Sequence, residues 1–163
     1  MRVFIIGRTR FIGPPVVRQL IEQGHEVTVF PRGQTKADLP AGVQYLHGNR
    51  NDLADFIPQI ESIQPDVVLD MVPVVESHAE TLTSTFAGKT ERVVAISSCD
   101  VYPAYGIFHG KETGREPVPL TEDSPVREVL DPYRTDPPRP KEDPLAWADH
   151  YDKIPTTNRQ ITI

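Results

Sequence analysis

Three features of the sequence predict an α/β protein, a doubly wound parallel sheet in a three-layer α/β/α arrangement. Short apolar runs rich in valine and isoleucine recur from the N-terminus to Ser97, which is typical of strands buried on both faces. Segments of helical periodicity separate these runs, and a glycine-bounded turn joins the first run to the first helix. Strand and helix in alternation indicate parallel strands covered by helices on both faces.

The first strand and the first helix are the clearest elements. Val3–Ile6 is a continuous apolar run, and apolar residues then recur at helical spacing from Phe11 to Ile21. Pro14 and Pro15 fit this helix only in its first turn, where a missing N–H is tolerated. The helix is therefore predicted to begin directly at the loop after the first strand.

The same periodicities predict the other elements. Four more strands are expected at Glu26–Phe30, Val43–Leu46, Asp66–Val72 and Arg92–Ser97. Two helical segments are expected at Asp52–Ile63, interrupted by Pro58, and at Glu76–Phe86. Eight prolines fall within residues 116–144, so this stretch is predicted to be loop with extended segments. A last, partial helix is predicted to begin near Leu145.

Composition limits the classes of function. The 163 residues suffice for one domain, and the formal net charge of −6 argues against a broad basic face for nucleic acid. The single cysteine, Cys99, excludes an intramolecular disulfide, and such low cysteine content suits the reducing cytoplasm. Cys99 itself is expected to be a small buried hydrophobic residue. No apolar run approaches the roughly 20 residues of a membrane-spanning helix. The five histidines show no metal-ligand spacing.

The string GRTRFIG, from Gly7 to Gly13, has the form of a phosphate-binding turn. A strand-to-helix turn presents backbone N–H groups and the positive end of the helix to an anion, and glycine permits close approach. A guanidinium in the middle of the turn can point outward and pair with a phosphate. Such turns also occur without a ligand. We interpret this one as a dinucleotide site formed by Gly7, Thr9, Arg10, Phe11, Ile12 and Gly13.

The end of the second strand bears on the choice of cofactor. An acid at this place accepts from the adenosine ribose of NAD, whereas an arginine accommodates the 2′-phosphate of NADP. The chain reads VTVFPRGQT, with Arg32 and no acid. NADP is therefore favoured, NAD is the alternative, and a solvated loop charge is the other interpretation of Arg32.

Together GRTRFIG, VFPRGQT, GNRNDL, SSCDVY and LTEDSP resemble the extended short-chain dehydrogenases/reductases of the NAD-dependent epimerase/dehydratase family. They are similar to an atypical branch that begins GGTRFIG and includes RNA-associated chloroplast stem-loop-binding proteins. Arg8 replaces the second glycine of that pattern. The resemblance implies a single Rossmann-like NAD(P)-binding domain over residues 1–163, lacking the C-terminal strands and the substrate subdomain, as in a fragment or a truncated product.

The resemblance also implies further cofactor contacts. Asn49 stands where the family has an acid that receives the adenine amino group, and its carbonyl keeps an acceptor there. Arg50 lies in the same frame. Met71 and Val72 fall where the family passes its backbone along the nicotinamide ribose, although both also suit an ordinary core.

The catalytic residues implied by the resemblance are Ser98, Tyr151 and Lys153. The serine would orient a substrate hydroxyl or carbonyl, the tyrosine would exchange its proton, and the lysine would lower the pKa of the tyrosine. Family members space the tyrosine and lysine four apart. A spacing of two turns the side chains about 200° from each other on a helix, which argues against catalysis by this chain alone.

Two functions follow as hypotheses. The first is the NAD(P)-binding domain of an epimerase/dehydratase-like oxidoreductase that acts on a sugar nucleotide or a similar polar substrate. The alternative is a non-catalytic Rossmann-type binding protein, associated with RNA or sensing nicotinamide nucleotides. The family also implies a homodimer formed through the helix at Glu76–Phe86 and the Tyr-Lys helix.

Overall fold

The computed structural model describes residues 1–7, 11–33, 38–73, 76–127, 137–140, 142–143 and 146. The described residues up to Ile96 belong to one compact unit, and those from Ser97 onward belong to a second.

The first unit contains a five-stranded parallel sheet, which confirms the predicted fold class. Its strands are β1 (Arg2–Ile6), β2 (Glu26–Phe30), β3 (Gln44–Tyr45), β4 (Val67–Asp70) and β5 (Arg92–Ala95). Their order in the sheet is β3-β2-β1-β4-β5, and every neighbouring pair is parallel. The chain therefore winds outward in both directions from the β1–β4 pair.

The described parts of the connections between these strands contain three helices and one 3₁₀ segment. They are α1 (Gly13–Glu22), the 3₁₀ segment Arg50–Phe56, α2 (Ile57–Ile63) and α3 (Glu76–Phe86). The prolines Pro14 and Pro15 lie in the first turn of α1, as predicted. Pro58 does not interrupt a helix, because it too occupies a first turn, that of α2. The predicted segment Asp52–Ile63 is thus two helical pieces.

Side-chain alternation along the strands builds a core on each face of the sheet. Phe4 and Ile6 of β1 belong to one apolar cluster, which includes residues of α2 and α3. Val3 and Ile5 belong to the other, which includes residues of α1. Helices on both faces and strands between them form the three predicted layers.

Three strands are shorter than predicted, namely β3, β4 and β5. The end of β4 has a clear cause. The Met71 N–H still donates to the Ile6 carbonyl, at 2.9 Å. The Val72 N–H instead donates to Asp70 Oδ1, at 3.0 Å, so the aspartate side chain ends the strand two residues earlier than expected.

The second unit contains a short helix that the sequence did not predict. A 3₁₀ turn, Cys99–Val101, precedes α4 (Pro103–Phe108). Cys99 is exposed, so its predicted burial is wrong. The described part of the proline-rich stretch, residues 116–127, forms turns and irregular chain. Of the helix predicted near Leu145 the structure describes only residue 146.

The buried guanidinium of Arg127 organises the described part of this unit. One of its nitrogens lies 3.2 Å from Asp100 Oδ1 and 3.6 Å from Glu112 Oε1. The Arg127 N–H also donates to the Val101 carbonyl, at 2.8 Å. These contacts tie the end of the irregular chain to the 3₁₀ turn and to the segment after α4.

No described helix has the length and apolar character that a bilayer crossing needs. The longest of them, α3, has 11 residues.

Candidate dinucleotide site

The carboxyl ends of β1 and β4 mark the place where the strand order reverses direction. In open parallel sheets ligands bind in the crevice outside such ends. Gly7 follows β1 with φ of +111°, a conformation that L side chains rarely adopt. A Cβ on Gly7 would also overlap the side chain of Val72, which follows β4. Both the backbone conformation and the neighbouring side chain of Val72 therefore require glycine here.

The helical side of the turn is built from Phe11, Ile12 and Gly13. Phe11 has φ of +54° and a side chain that is 92% exposed. Ile12 is the N-terminal cap of α1 and makes no side-chain capping bond. Pro14 and Pro15 have no backbone N–H, so Gly13 supplies the free N–H of the first helical turn. An anion bound here would accept hydrogen bonds from this N–H and from the backbone of the preceding turn. The predicted site residues Thr9 and Arg10 lie outside the described residues.

A buried ion pair lies at the end of β4. Asp70 is fully buried, and both of its carboxylate oxygens accept from Arg50, at 3.0 Å from Nη1 and 2.6 Å from Nη2. The Arg50 side chain is 12% exposed. Its Nη1 also donates to the Val72 carbonyl. Arg50 was predicted as a cofactor contact, and its guanidinium is directed into the protein toward the β4 end.

His78, in the first turn of α3, adds a second group to this cluster. Its Nε2 lies 3.3 Å from Asn51 Oδ1, the distance of a hydrogen bond. Burial lowers the pKa of His78 below its ordinary value of 6.5, and the charge of Arg50 lowers it further. The Asp70 carboxylate and a hydrogen bond to the Val72 backbone act in the opposite direction. The net effect lowers the pKa of His78 and favours the neutral imidazole.

The ends of β2 and β3 carry the residues predicted to face adenosine. Arg32 is exposed after β2, and the next residue, Gly33, has φ of +75°. A Cβ on Gly33 would lie 3.3 Å from His47 Nδ1, so the imidazole borders this turn. Asn49 is exposed, and its Oδ1 accepts from the Asn51 N–H at 3.2 Å. The amide of Asn49 thus caps the 3₁₀ segment.

Of the three predicted catalytic residues, the structure describes only Ser98. Ser98 lies in the second unit, is exposed, and accepts at Oγ from the Asp100 N–H, at 3.2 Å. It caps the 3₁₀ turn that follows it. Tyr151 and Lys153 lie outside the described residues, so their assignment stays a prediction.

A groove of about 560 Å³ lies at the opposite, amino end of the sheet. Its wall carries Arg2 and Asp66, joined at 2.8 Å, and Lys89 and Glu61, joined at 2.9 Å. The charges in this groove are largely engaged with one another. Among the described residues, no group of three or more histidine, cysteine, aspartate and glutamate side chains is placed to hold a metal ion.

Residues 3–129 match the model of the NAD dependent epimerase/dehydratase family. The matched range begins at the second residue of β1 and contains the other four strands and the candidate site. The chain belongs to this family. It therefore has the family's NAD-binding fold, as the resemblance in the sequence predicted.

Two curated proteins are similar to the chain. Chloroplast stem-loop binding protein of 41 kDa b from Arabidopsis thaliana is 30% identical over 131 residues, covering 71% of this chain. The 2′-dehydrokanamycin reductase of Streptomyces kanamyceticus is 32% identical over 98 residues, covering 60% of this chain. The matches cover 34% and 28% of those proteins. The chain thus spans about a third of the length of these relatives.

A solved structure supports the fold. The Bordetella bronchiseptica enzyme WbmG, in complex with NAD and UDP, aligns with a TM-score of 0.61 and 18% identity. The alignment covers 78% of this chain and 44% of WbmG.

Asp70 and His78 are the members of the cluster that the sequence did not single out as functional. Asp70 left one signal, a lone acid inside the apolar run VVLDMV. A carboxylate in such a run needs a buried partner, because burying a charge alone is unfavourable. His78 left no comparable signal.

Proposed function

We propose that this chain is the NAD(P)-binding domain of an epimerase/dehydratase-like oxidoreductase. The observation that carries the proposal is the contact of Gly7, at the end of β1, with Val72, which follows the neighbouring strand β4 and fills the space that a side chain on Gly7 would need. This is the point of the sheet at which a pyrophosphate must approach the backbone closely. Family membership supports the same ligand class.

NADP is the proposed form of the cofactor, with NAD as the alternative. Arg32 follows β2, where a 2′-phosphate of adenosine would lie, and its side chain is exposed and available. His47 borders the same turn and adds a second nitrogen donor. A carboxylate that would accept from the free ribose hydroxyls of NAD is missing from the described residues directly after β2.

A titration of the purified chain with NADPH and NADH tests the cofactor proposal. We expect micromolar binding of NADPH, weakened in Arg32→Ala by about 1–3 kcal/mol, the range for charge-assisted contacts. NADH binding should change less, because it lacks the 2′-phosphate. Arg92→Ala is the matched control, since Arg92 is an exposed arginine at the start of β5. A chain that binds neither nucleotide would contradict the proposal.

The proposed substrate is a sugar nucleotide or a similar polar molecule, with Ser98, Tyr151 and Lys153 as the proposed catalytic residues. WbmG, solved with NAD and UDP, supports this through its similar fold alone. Ser98→Ala should abolish any cofactor-dependent turnover. Because the Ser98 hydroxyl also caps a 3₁₀ turn, Ser98→Asn is the control that keeps a capping oxygen. Equal turnover in wild type and Ser98→Ala would exclude the serine.

The proposed assembly is a homodimer in which α3 contributes to the interface. Light scattering of the purified chain measures the molar mass directly. A monomer at micromolar concentration would contradict this part of the proposal.

A non-catalytic RNA-associated role is the second candidate. The observation that favours it is the 30% identity to a chloroplast stem-loop binding protein. A gel shift with a stem-loop RNA that persists at physiological salt, in a chain that binds neither NADPH nor NADH, would support it over the first proposal. A gel shift at low salt that disappears at physiological salt would reject it.

A further inference from the structure

The contacts around Asp70 converge on the backbone of one residue after β4, Val72. The Val72 N–H donates to Asp70 Oδ1, at 3.0 Å. The Val72 carbonyl accepts from Arg50 Nη1, and His78 also hydrogen-bonds to this backbone. Donor and acceptor of the same residue are therefore both held, by groups from β4, the 3₁₀ segment and α3.

A buried ion pair is not in itself evidence of a gain in stability. Replacing a buried ion pair by apolar residues is often neutral or stabilising, because desolvation of the two charges offsets their attraction. Asp70 is fully buried and the Arg50 side chain is 12% exposed. What the pair adds is direction, since a guanidinium fork and a carboxylate admit few relative orientations.

The held residue is also the one that touches the turn after β1. Val72 occupies the space that a Cβ on Gly7 would need. The preceding residue, Met71, donates its N–H to the Ile6 carbonyl, at 2.9 Å. The position of Val72 and the position of Gly7 are therefore coupled across the β1–β4 pair.

We propose that Arg50 and Asp70 are positioning residues for the dinucleotide: they hold Val72 against Gly7, and so shape the nicotinamide side of the crevice without contacting the ligand. The inference rests on the proposed function. The side of the crevice follows from the strand order. Because β2 takes the adenosine ribose and β4 lies on the other side of β1, the end of β4 faces the second half of a dinucleotide.

The double variant Arg50→Met/Asp70→Asn tests the proposal. It removes both buried charges, keeps an oxygen acceptor for the Val72 N–H, and removes the donor to the Val72 carbonyl. The matched control is Arg2→Met/Asp66→Asn, which dismantles the ion pair at the other end of the same two strands. Calorimetric affinities for NADH and for ADP, which lacks the nicotinamide half, are compared in wild type and both variants.

The expected result is a difference between the two ligands. The Arg50/Asp70 variant should bind NADH about tenfold more weakly, within the range for residues coupled through one hydrogen-bond network, and ADP within about twofold of wild type. The Arg2/Asp66 variant should bind both ligands as wild type does. Urea unfolding of each protein establishes that the variants are folded.

Two results would overturn the inference and leave the proposed function intact. One is unchanged NADH affinity in the Arg50/Asp70 variant, and the other is an equal loss for NADH and ADP, which indicates general damage. A wild-type chain that binds neither NADH nor NADPH overturns the proposed function, and the inference with it. If the double variant does not fold, Arg50→Lys replaces it, since one ammonium cannot form the planar fork that serves both Asp70 and Val72.

Discussion

Each end of the β1–β4 pair carries an arginine–aspartate ion pair, and the two ion pairs differ in their exposure to solvent. At the amino end, Arg2 and Asp66 are joined at 2.8 Å, with side chains 39% and 24% exposed. At the carboxyl end, Arg50 and Asp70 are joined at 2.6 Å, with side chains 12% and 0% exposed. The first pair is solvated and faces a groove, whereas the second is enclosed behind the candidate site.

The different solvent exposure of the two ion pairs determines how each contributes to stability and structure. A partly solvated pair is screened and contributes little to stability. A buried pair is sensitive to the loss of either partner, because the remaining charge has no water to solvate it. The amino end therefore joins β1 to the turn before β4, while the carboxyl end defines the backbone next to Gly7.

The largest effect is expected from breaking only one partner at the carboxyl end. Arg50→Met leaves the Asp70 carboxylate buried and unpaired, and should lower the free energy of unfolding by about 3–5 kcal/mol. Arg2→Met, at the solvated end, should have a clearly smaller effect. Urea unfolding of the two variants under the same conditions measures the difference. Equal destabilisation would show that the two environments do not differ as described.

The next effect concerns the contact between the strands at the site. Gly7→Ala places a methyl group against Val72 and puts a side chain on a residue with positive φ. It should lower the free energy of unfolding by about 1–3 kcal/mol. Gly88→Ala is the control, since Gly88 has φ of +70° and nothing within 4 Å of its Cβ position. Gly7→Ala should also weaken NADPH binding. Equal unfolding energies in the two variants would contradict the Gly7–Val72 contact.

A pH-dependent effect is expected from His78 at the carboxyl end. Its pKa is lowered in the folded state by burial and by Arg50. Below about pH 6.5 His78 is protonated more readily in the unfolded chain than in the folded chain. The free energy of unfolding is therefore highest above about pH 6.5 and falls as pH decreases toward the folded pKa. Urea unfolding between pH 7.5 and 5.5 should show this decline, and His78→Gln should reduce it. If wild type and His78→Gln lost stability equally between pH 7.5 and 5.5, this would contradict the assignment of the decline to His78.

The smallest effect is expected from Asp66 at the amino end. The hydrogen bond from the Arg2 side chain lowers the pKa of this carboxyl, and the Arg2 backbone N–H lowers it further. Its contribution to stability is present above the unfolded pKa and disappears as pH falls through the folded value. Asp66→Asn should flatten the unfolding profile below about pH 4, and the effect should decrease in high salt. If Asp66→Asn left the low-pH part of the unfolding profile unchanged, this would contradict a stabilising Arg2–Asp66 ion pair.

Most of the fold was predictable because its signals are local. The β2 strand at Glu26–Phe30 and the α3 helix at Glu76–Phe86 have the bounds predicted from periodicity. The helix α4 was missed because it has only six residues, with a glycine among them, and so contains less than two turns of pattern. The end of β4 was misplaced because a side chain, Asp70, takes the hydrogen bond that would extend the strand.

The candidate site was predictable only in part. GRTRFIG identified the turn, and the structure adds why its first glycine is required. The cofactor role of Arg50 stays a prediction, and the structure adds its contacts with Asp70 and the Val72 carbonyl. The catalytic role of Ser98 stays a prediction too, and the structure adds that its hydroxyl caps a 3₁₀ turn.

The sequence alone determined the parallel sheet, its two apolar faces and the glycine turn after β1. Each of these follows from the spacing of apolar residues or from one residue type at one place. The contact between Arg50 and Asp70 behind that turn depends on the folded arrangement, because the two residues lie 20 positions apart in the chain. Periodicity records which face of an element is buried, but the partner of a buried charge depends on which elements meet once the chain has folded.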